Sequence, residues 1–198
     1  MKKNSIILLV TGAALLITIL VGISKYNGLV NKDEVVKAEW SNVENQYQRR
    51  ADLIPNLVAT VKGYTSHESE TLEGVVAARA KATQVTVDAD NLTPEKLQKF
   101  QAAQGELSSA LGRLMMITEN YPDLKANENF RDLQVQLEGT ENRIASARTN
   151  FISLSKEFNQ AIRKFPTNII ASMGNFEKKV YFEAEAGTEK APTVDFSK

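Results

Sequence analysis

Residues 48–58 read QRRADLIPNLV, placing two arginines, an aspartate and a proline inside a segment that otherwise repeats as an amphipathic helix. With successive residues turned by about 100° around a helix, Arg50 falls on the same stripe as Val43, Ile54 and Val61. Asp52 points to the opposite face, and Arg49 and Asn56 lie well off the stripe. Arg79 repeats the anomaly among Leu72, Val75 and Val76. A guanidinium on an apolar face is costly unless it is paired and fully hydrogen-bonded. Three readings stay open for these arginines. They extend their heads to water from an end or flank of a bundle; they join a buried network that sets helix register, with Gln104 and Glu141 as partners on or near their own apolar stripes; or Arg49, Arg50 and Arg79 hold an anion or other ligand. Pro55 removes the helical hydrogen bond to Ala51 and clashes with that carbonyl, so a kink is expected there. A freed carbonyl can accept from an arginine, which makes Pro55 and Arg50 two parts of one local solution, structural first and functional second.

Other chemistry is thinly represented. The chain has no cysteine, which excludes disulfides, thiolate metal sites and cysteine nucleophiles, and it has a single histidine, His67. The HESE segment at 67–70 has no second histidine four residues on, and its acids suit a helix N-terminus better than a metal. No G-x-S-x-G, S-x-x-K, G-x-x-x-x-G-K-[ST] or G-x-G-x-x-G pattern occurs, so neither serine nucleophiles nor nucleotide loops are indicated. Met115-Met116 is expected as core filler. Lysine plus arginine and aspartate plus glutamate both count 24 in 198 residues, and zero net charge gives no pull towards nucleic acid. No cofactor is expected.

These residues need elements to position them. After MKKNS, residues 6–23 (IILLVTGAALLITILVGI) carry no charge and as a helix span about 27 Å, close to a bilayer core. The run is long for a secretory signal and no cleavage site follows it, so residues 6–24 are expected to be a single-pass anchor in the lipid bilayer behind a short tail at 1–5. Lys2 and Lys3 precede the run while Lys25, Lys32 and Lys37 follow it, and the short tail is expected to stay inside, placing the large domain outside the cytoplasm. Residues 25–32 are expected as a connector, with Asn31 and Glu34 at capping-box spacing. A helical domain follows over 33–177. Its first helix carries Val36, Trp40, Val43, Tyr47, Ile54, Leu57, Val61 and Tyr64, ending at Gly63. A second, capped by Thr65 and Glu68, decays in the loop QVTVDADN. A third starts at Thr93-Pro94 and stops at Pro122. The fourth repeats Phe130, Leu137, Ile144, Phe151, Phe158 and Phe165 at intervals of seven and ends at Pro166, a period that favours left-handed supercoiling. A short helix capped by Gly174 follows. The tail at 178–198 is expected to be irregular, with aromatics at Phe176, Tyr181, Phe182 and Phe196 docking parts of this C-terminal stretch on the bundle. The fold class expected is all-α, an elongated antiparallel four-helix bundle on a transmembrane helix.

The segments YNGLV, VKAEWSNVENQYQRRADLIPNLVATVKGY, HESETLEGVVAARAKA and NENFRDLQVQLEGTENRIASAR, with the closing YFEAEAG, resemble the LemA family over nearly all of the chain after the anchor. The resemblance implies a mostly four-helix bundle on an N-terminal membrane anchor in bacteria. It carries no catalytic role for QRRADLIPN, and hints at quality control of the cell envelope. Together with the absence of a catalytic constellation, it makes a non-enzymatic scaffold or adaptor for another envelope protein the first expectation. A sensor of anions or envelope fragments that uses the arginines is the alternative, and an enzyme the third.

Overall fold

The computed structural model describes residues 2–65 and 68–182. The expectations for His67, Phe196 and the tail beyond 182 lie outside these residues. Among the described residues the secondary structure is helical, with no strand.

Helix α1 runs unbroken from Lys2–Lys62 and is about 90 Å long. The connector expected at 25–32 is therefore absent, and no helix starts near residue 32. A capping box acts only where the chain leaves the helix. Here Leu29 is buried and Lys32 pairs with Glu157, so packing sustains helix through Gly28 at the modest cost of one glycine. Residues 6–21 are exposed along their length, an apolar surface with no protein against it.

The remaining elements are α2 (Ser69–Gln84), a 3-10 turn (Ala89–Asn91), α3 (Pro94–Thr118), α4 (Pro122–Ala126), α5 (Glu128–Ala161) and α6 (Thr167–Met173). Their starts follow local chemistry. Thr93 accepts from the Lys96 amide with Pro94 at the first turn, and Asn127 accepts from the Phe130 amide. The cap expected for α2 is not made: the Thr65 hydroxyl donates back to the Val61 carbonyl and closes α1 instead, while Glu68 offers no side-chain cap. Helix α5 stops at Ala161, short of Phe165, which is 81% exposed. Pro166 disfavours helical backbone in the residue before it, and the heptad loses its last member.

Helix α5 packs along α1 in the opposite sense, with contacts at Lys32–Glu157 (3.3 Å), Arg50–Glu141 (2.7 Å) and Tyr64–Asn127 (2.8 Å). Helix α2 returns along α1, and α3 runs back along α2, joined by Lys81–Glu106 at one end and Glu68–Tyr121 at the other. Two cores result. The one far from the apolar run is mostly aliphatic: Ile54, Leu57 and Val61 meet Val75, Leu107, Leu114, Leu124 and Leu137, with Phe130 as its aromatic. The nearer one is aromatic, built on Trp40, Tyr47, Phe100, Phe151, Phe158 and Phe182. Met115 packs against the first core, whereas Met116 is exposed and fills no core.

Candidate functional site

Arg50 lies between the two cores. It is 1% exposed, with Val43 and Ile54 on either side of it along α1 completely buried. Its Nη1 donates to Ser108 Oγ (2.8 Å) and Glu141 Oε1 (2.7 Å), and its Nη2 donates to Gln104 Oε1 (2.7 Å) and to the Gln104 carbonyl (3.2 Å). The Tyr47 ring lies 5.1 Å from the guanidinium carbon. Gln104 passes the link on, its Nε2 donating to the Ala82 carbonyl (3.3 Å), and Ser108 Oγ donates to the Gln104 carbonyl (3.2 Å). One cation thus ties α1 to α3 and α5 and, through Gln104, to α2. The reading in which the Arg50 head extends to water is overturned. The helix positions Arg50 midway along the packed stretch, too far from either end for its side chain to escape.

The network is closed on its inner side and open on its outer side. Arg50 Nε is buried and finds no acceptor among the described residues, while the Glu141 side chain keeps 48% of its exposure. Water can therefore solvate the anion but not the cation. This asymmetry makes the carboxylate the more important partner energetically, because its loss strands a buried charge.

Arg79 serves the neighbouring anomaly. Its Nε donates to the Ala51 carbonyl at 2.7 Å. Ala51 stands four residues before Pro55, so this carbonyl is the one that loses its helical donor. The expected partnership of proline and arginine therefore exists, but with Arg79 in place of Arg50. Arg49 is exposed and stands apart, and Asp52, also exposed, accepts from Gln48 on the outer face (2.8 Å). The structure brings together Arg50, Gln104 and Glu141, sets Arg79 one residue along at Ala51, and leaves Arg49 out.

Beside Glu141, a groove of about 290 Å³ runs between α3 and α5. Leu111, Gly112, Met115 and Leu137 give it an apolar floor, and Ser108, Gln134, Glu138 and Glu141 form its rim. It has no basic residue in its lining and, among the described residues, no group of three or more histidines, aspartates or glutamates that could hold a metal. The groove can take an apolar side chain or helix ridge, and the Ser108 and Glu141 groups on its rim are both engaged with Arg50.

A second polar constellation escaped sequence reasoning. Asn159, 4% exposed, pairs with the backbone of Lys179 in both directions: its Nδ2 donates to the Lys179 carbonyl and its Oδ1 accepts the Lys179 amide, each at 2.8 Å. Its Nδ2 also reaches the Tyr181 hydroxyl (2.8 Å). The Lys179 ammonium meets Asp33 (2.5 Å), which Lys37 also contacts (3.1 Å) while bridging to Asp90 (2.6 Å). Residues 176–182 are thereby strapped across α5 and α1, and Phe182 stacks on Trp40 with centroids 5.9 Å apart. Burial pushes the Asp33 carboxyl up, but the hydrogen bonds from Lys179 and Lys37 outweigh it and hold the group below its ordinary value. Lys37 is raised, chiefly by Asp90. The docking expected from Phe176, Tyr181 and Phe182 is thus observed, while the Asn159 pairing that fixes it had no signal beyond an asparagine next to Phe158 on the heptad face.

A family model described as the LemA family matches residues 39–196. The magnetosome protein MamQ of Magnetospirillum gryphiswaldense is 29% identical over 185 residues, covering 82% of this chain and 66% of that protein. Magnetosome protein MamQ 1 of Paramagnetospirillum magneticum is 29% identical over 178 residues, covering 80% of this chain and 65% of that protein. Protein LemA of Metamycoplasma hominis is 24% identical over 162 residues, covering 82% and 70%. The chain spans slightly less than two thirds of the length of the MamQ relatives.

Proposed function

The chain belongs to the LemA family, and on that footing we propose that it is a membrane-anchored scaffold or adaptor of the bacterial cell envelope, a four-helix bundle with coiled-coil-like packing that binds a protein partner and catalyses no reaction. The observation that carries this reading is the closure of the Arg50 network. Of the arginines that stood out in the sequence as a binding site, Arg50 is consumed by Ser108, Gln104 and Glu141 of the same chain and Arg79 donates to the Ala51 carbonyl. Binding is then left to outer surfaces, of which the α3–α5 groove is apolar and free. The apolar run at 6–23 holds the bundle to the bilayer, and Lys2 and Lys3 keep the short tail inside so that the bundle lies outside the cytoplasm.

The test places a photo-crosslinking residue at Met115 or Glu138 in the groove, and at Asp52 on the outer face of α1, in the full chain in its own membrane. Discrete adducts of one mass from Met115 and Glu138 only are expected. Identical patterns from all three positions would reject the groove as the partner surface. The rival reading, a sensor of anions or envelope fragments through Arg49, Arg50 and Arg79, is weaker because only Arg49 of the three is exposed.

A further inference from the structure

We propose that α6 and the Phe165-Pro166 turn before it form a second membrane contact, a short interfacial element that seats the bundle on a lipid surface bearing anionic headgroups. The proposal rests on the apolar run of α1 spanning the bilayer. Helix α6 packs beside α1 at the end of that run: Ile170 lies against Gly22, where an added Cβ would come within 3.8 Å of its Cδ1. One turn on, Gly174 lies against Tyr26, and a Cβ there would meet the Tyr26 ring at 3.1 Å and the Phe176 ring at 2.8 Å, so only glycine fits. Gly22 facing Ile170 and Tyr26 facing Gly174 give the two helices the same direction. The start of α6 and the turn before it therefore point down the anchor towards its apolar run.

One flank of α6 is apolar and exposed, beside the polar Asn168 and Ser172 on its outer side. Ile169 and Met173, four apart and on one face, are exposed, as is Phe165 in the turn. Ile19 and Ile23 on α1 are exposed too, and they flank Gly22, the residue that Ile170 of α6 lies against, so the two apolar surfaces stand at the same level of the molecule. That level names the occupant: α6 meets α1 at Gly22, inside the apolar run, where the medium around an anchor is lipid. Charge points the same way. No aspartate or glutamate occurs in residues 1–32 or 158–176, whereas Lys25, Arg163 and Lys164 border the patch and are exposed. A protein of zero net charge thus gathers three exposed basic residues at this end, with Glu157, paired to Lys32, and Glu177 among the first acids beyond them, an arrangement that attracts anionic lipid.

Because the chain contains no cysteine, single thiols can be labelled uniquely. The full chain is reconstituted in phosphatidylcholine vesicles with and without phosphatidylglycerol, carrying an environment-sensitive fluorophore at Phe165→Cys or Ile169→Cys. Leu16→Cys reports the anchor and Val135→Cys the bundle. Expected are blue-shifted emission and quenching by headgroup-region lipid quenchers at 165 and 169, aqueous iodide quenching at 135, and a further blue shift at 165 with phosphatidylglycerol that Arg163→Gln with Lys164→Gln removes. If 16 reports lipid while 165 and 169 behave like 135, the second contact is overturned and the anchor stands. If 16 itself reports water, the anchor reading fails first. Shielding of 165 and 169 from both kinds of quencher would overturn the lipid assignment in favour of another protein chain. Equal insertion in the two lipids would remove the role given to Arg163 and Lys164.

Discussion

The two cores are closed by different means. The aliphatic core far from the apolar run takes its residues from α1 to α5, and every fully buried member sits on a helix. The aromatic core near the run needs two contributions that are not helical: Val87 in the loop after α2, whose carbonyl accepts from Trp40 Nε1 at 2.8 Å, and Phe182 in the strap. Periodic residues build a core that helix packing alone completes, whereas the aromatic core depends on irregular backbone held by specific side-chain hydrogen bonds. Arg50 stands at the join and bonds across it.

The largest effect should come from disturbing that join. Glu141→Ala strands a buried guanidinium with one orphan N–H already, and is expected to cost roughly 3–5 kcal/mol. Arg50→Met is expected to cost less, since the released carboxylate is half-exposed and can return to water while methionine fills the apolar site. Denaturant titration of both variants decides it; a milder loss in Glu141→Ala than in Arg50→Met would show that solvent reaches the cation.

The strap comes next. Asn159→Ala removes both pairings to Lys179 and leaves that carbonyl and amide without their partner, at about 1–3 kcal/mol. The comparison of cores gives the prediction its edge. Hydrogen exchange should rise in residues 36–47 of α1 and stay protected in 54–61. Uniform deprotection would mean that the cores unfold as one unit and that the distinction between them is only compositional.

How far these features were legible depends on periodicity. The helical class, the stripes and the position of Arg50 among Val43, Ile54 and Val61 follow from angular spacing, which is local. Gln104 and Glu141 could be named because each sits on or beside a stripe of its own. The choice between water and burial for Arg50 was not local, because it depends on how far α3 and α5 overhang α1. The same holds for Pro55: the freed carbonyl is visible in the sequence, but which arginine reaches it depends on how α2 lies across α1, and Arg79 is the one. The docking of the strap was legible in Phe176, Tyr181 and Phe182, but its register was not, because the Asn159 side chain meets backbone groups of Lys179, which carry no residue signature. Asn31 and Glu34 misled because cap-like spacing recurs inside helices that packing keeps intact.

A smaller effect tests the proline repair. Arg79→Met should cost about 1–2 kcal/mol by leaving the buried Ala51 carbonyl bare. In a Pro55→Ala background the amide of residue 55 can donate to Ala51 again, and the arginine becomes redundant there. The cycle should therefore show coupling of about 1 kcal/mol. Additive losses would mean that Arg79 acts through packing and not through that carbonyl.

The smallest effect is a pH dependence, and it separates the cores again. Asp33 is held below its ordinary value of 3.8 in the folded protein, so its contribution is fully present above 3.8 and is lost as pH falls through the lower folded value. Glu44, raised by burial above 4.5, acts with the opposite sign: its contribution is present below 4.5 and fades as pH rises through its folded value. Both lie on the part of α1 that serves the aromatic core. Acidification below about pH 4 should therefore loosen the strap first, seen as a change in Trp40 fluorescence before helix content falls. The magnitude is limited, because Asp33, Lys37 and Lys179 each keep 16–27% of their side-chain exposure and water screens the pairs. Asp33→Asn should flatten this acid limb without touching residues 54–61. An acid transition in the Trp40 signal that survives Asp33→Asn unchanged would place its cause elsewhere in the aromatic core.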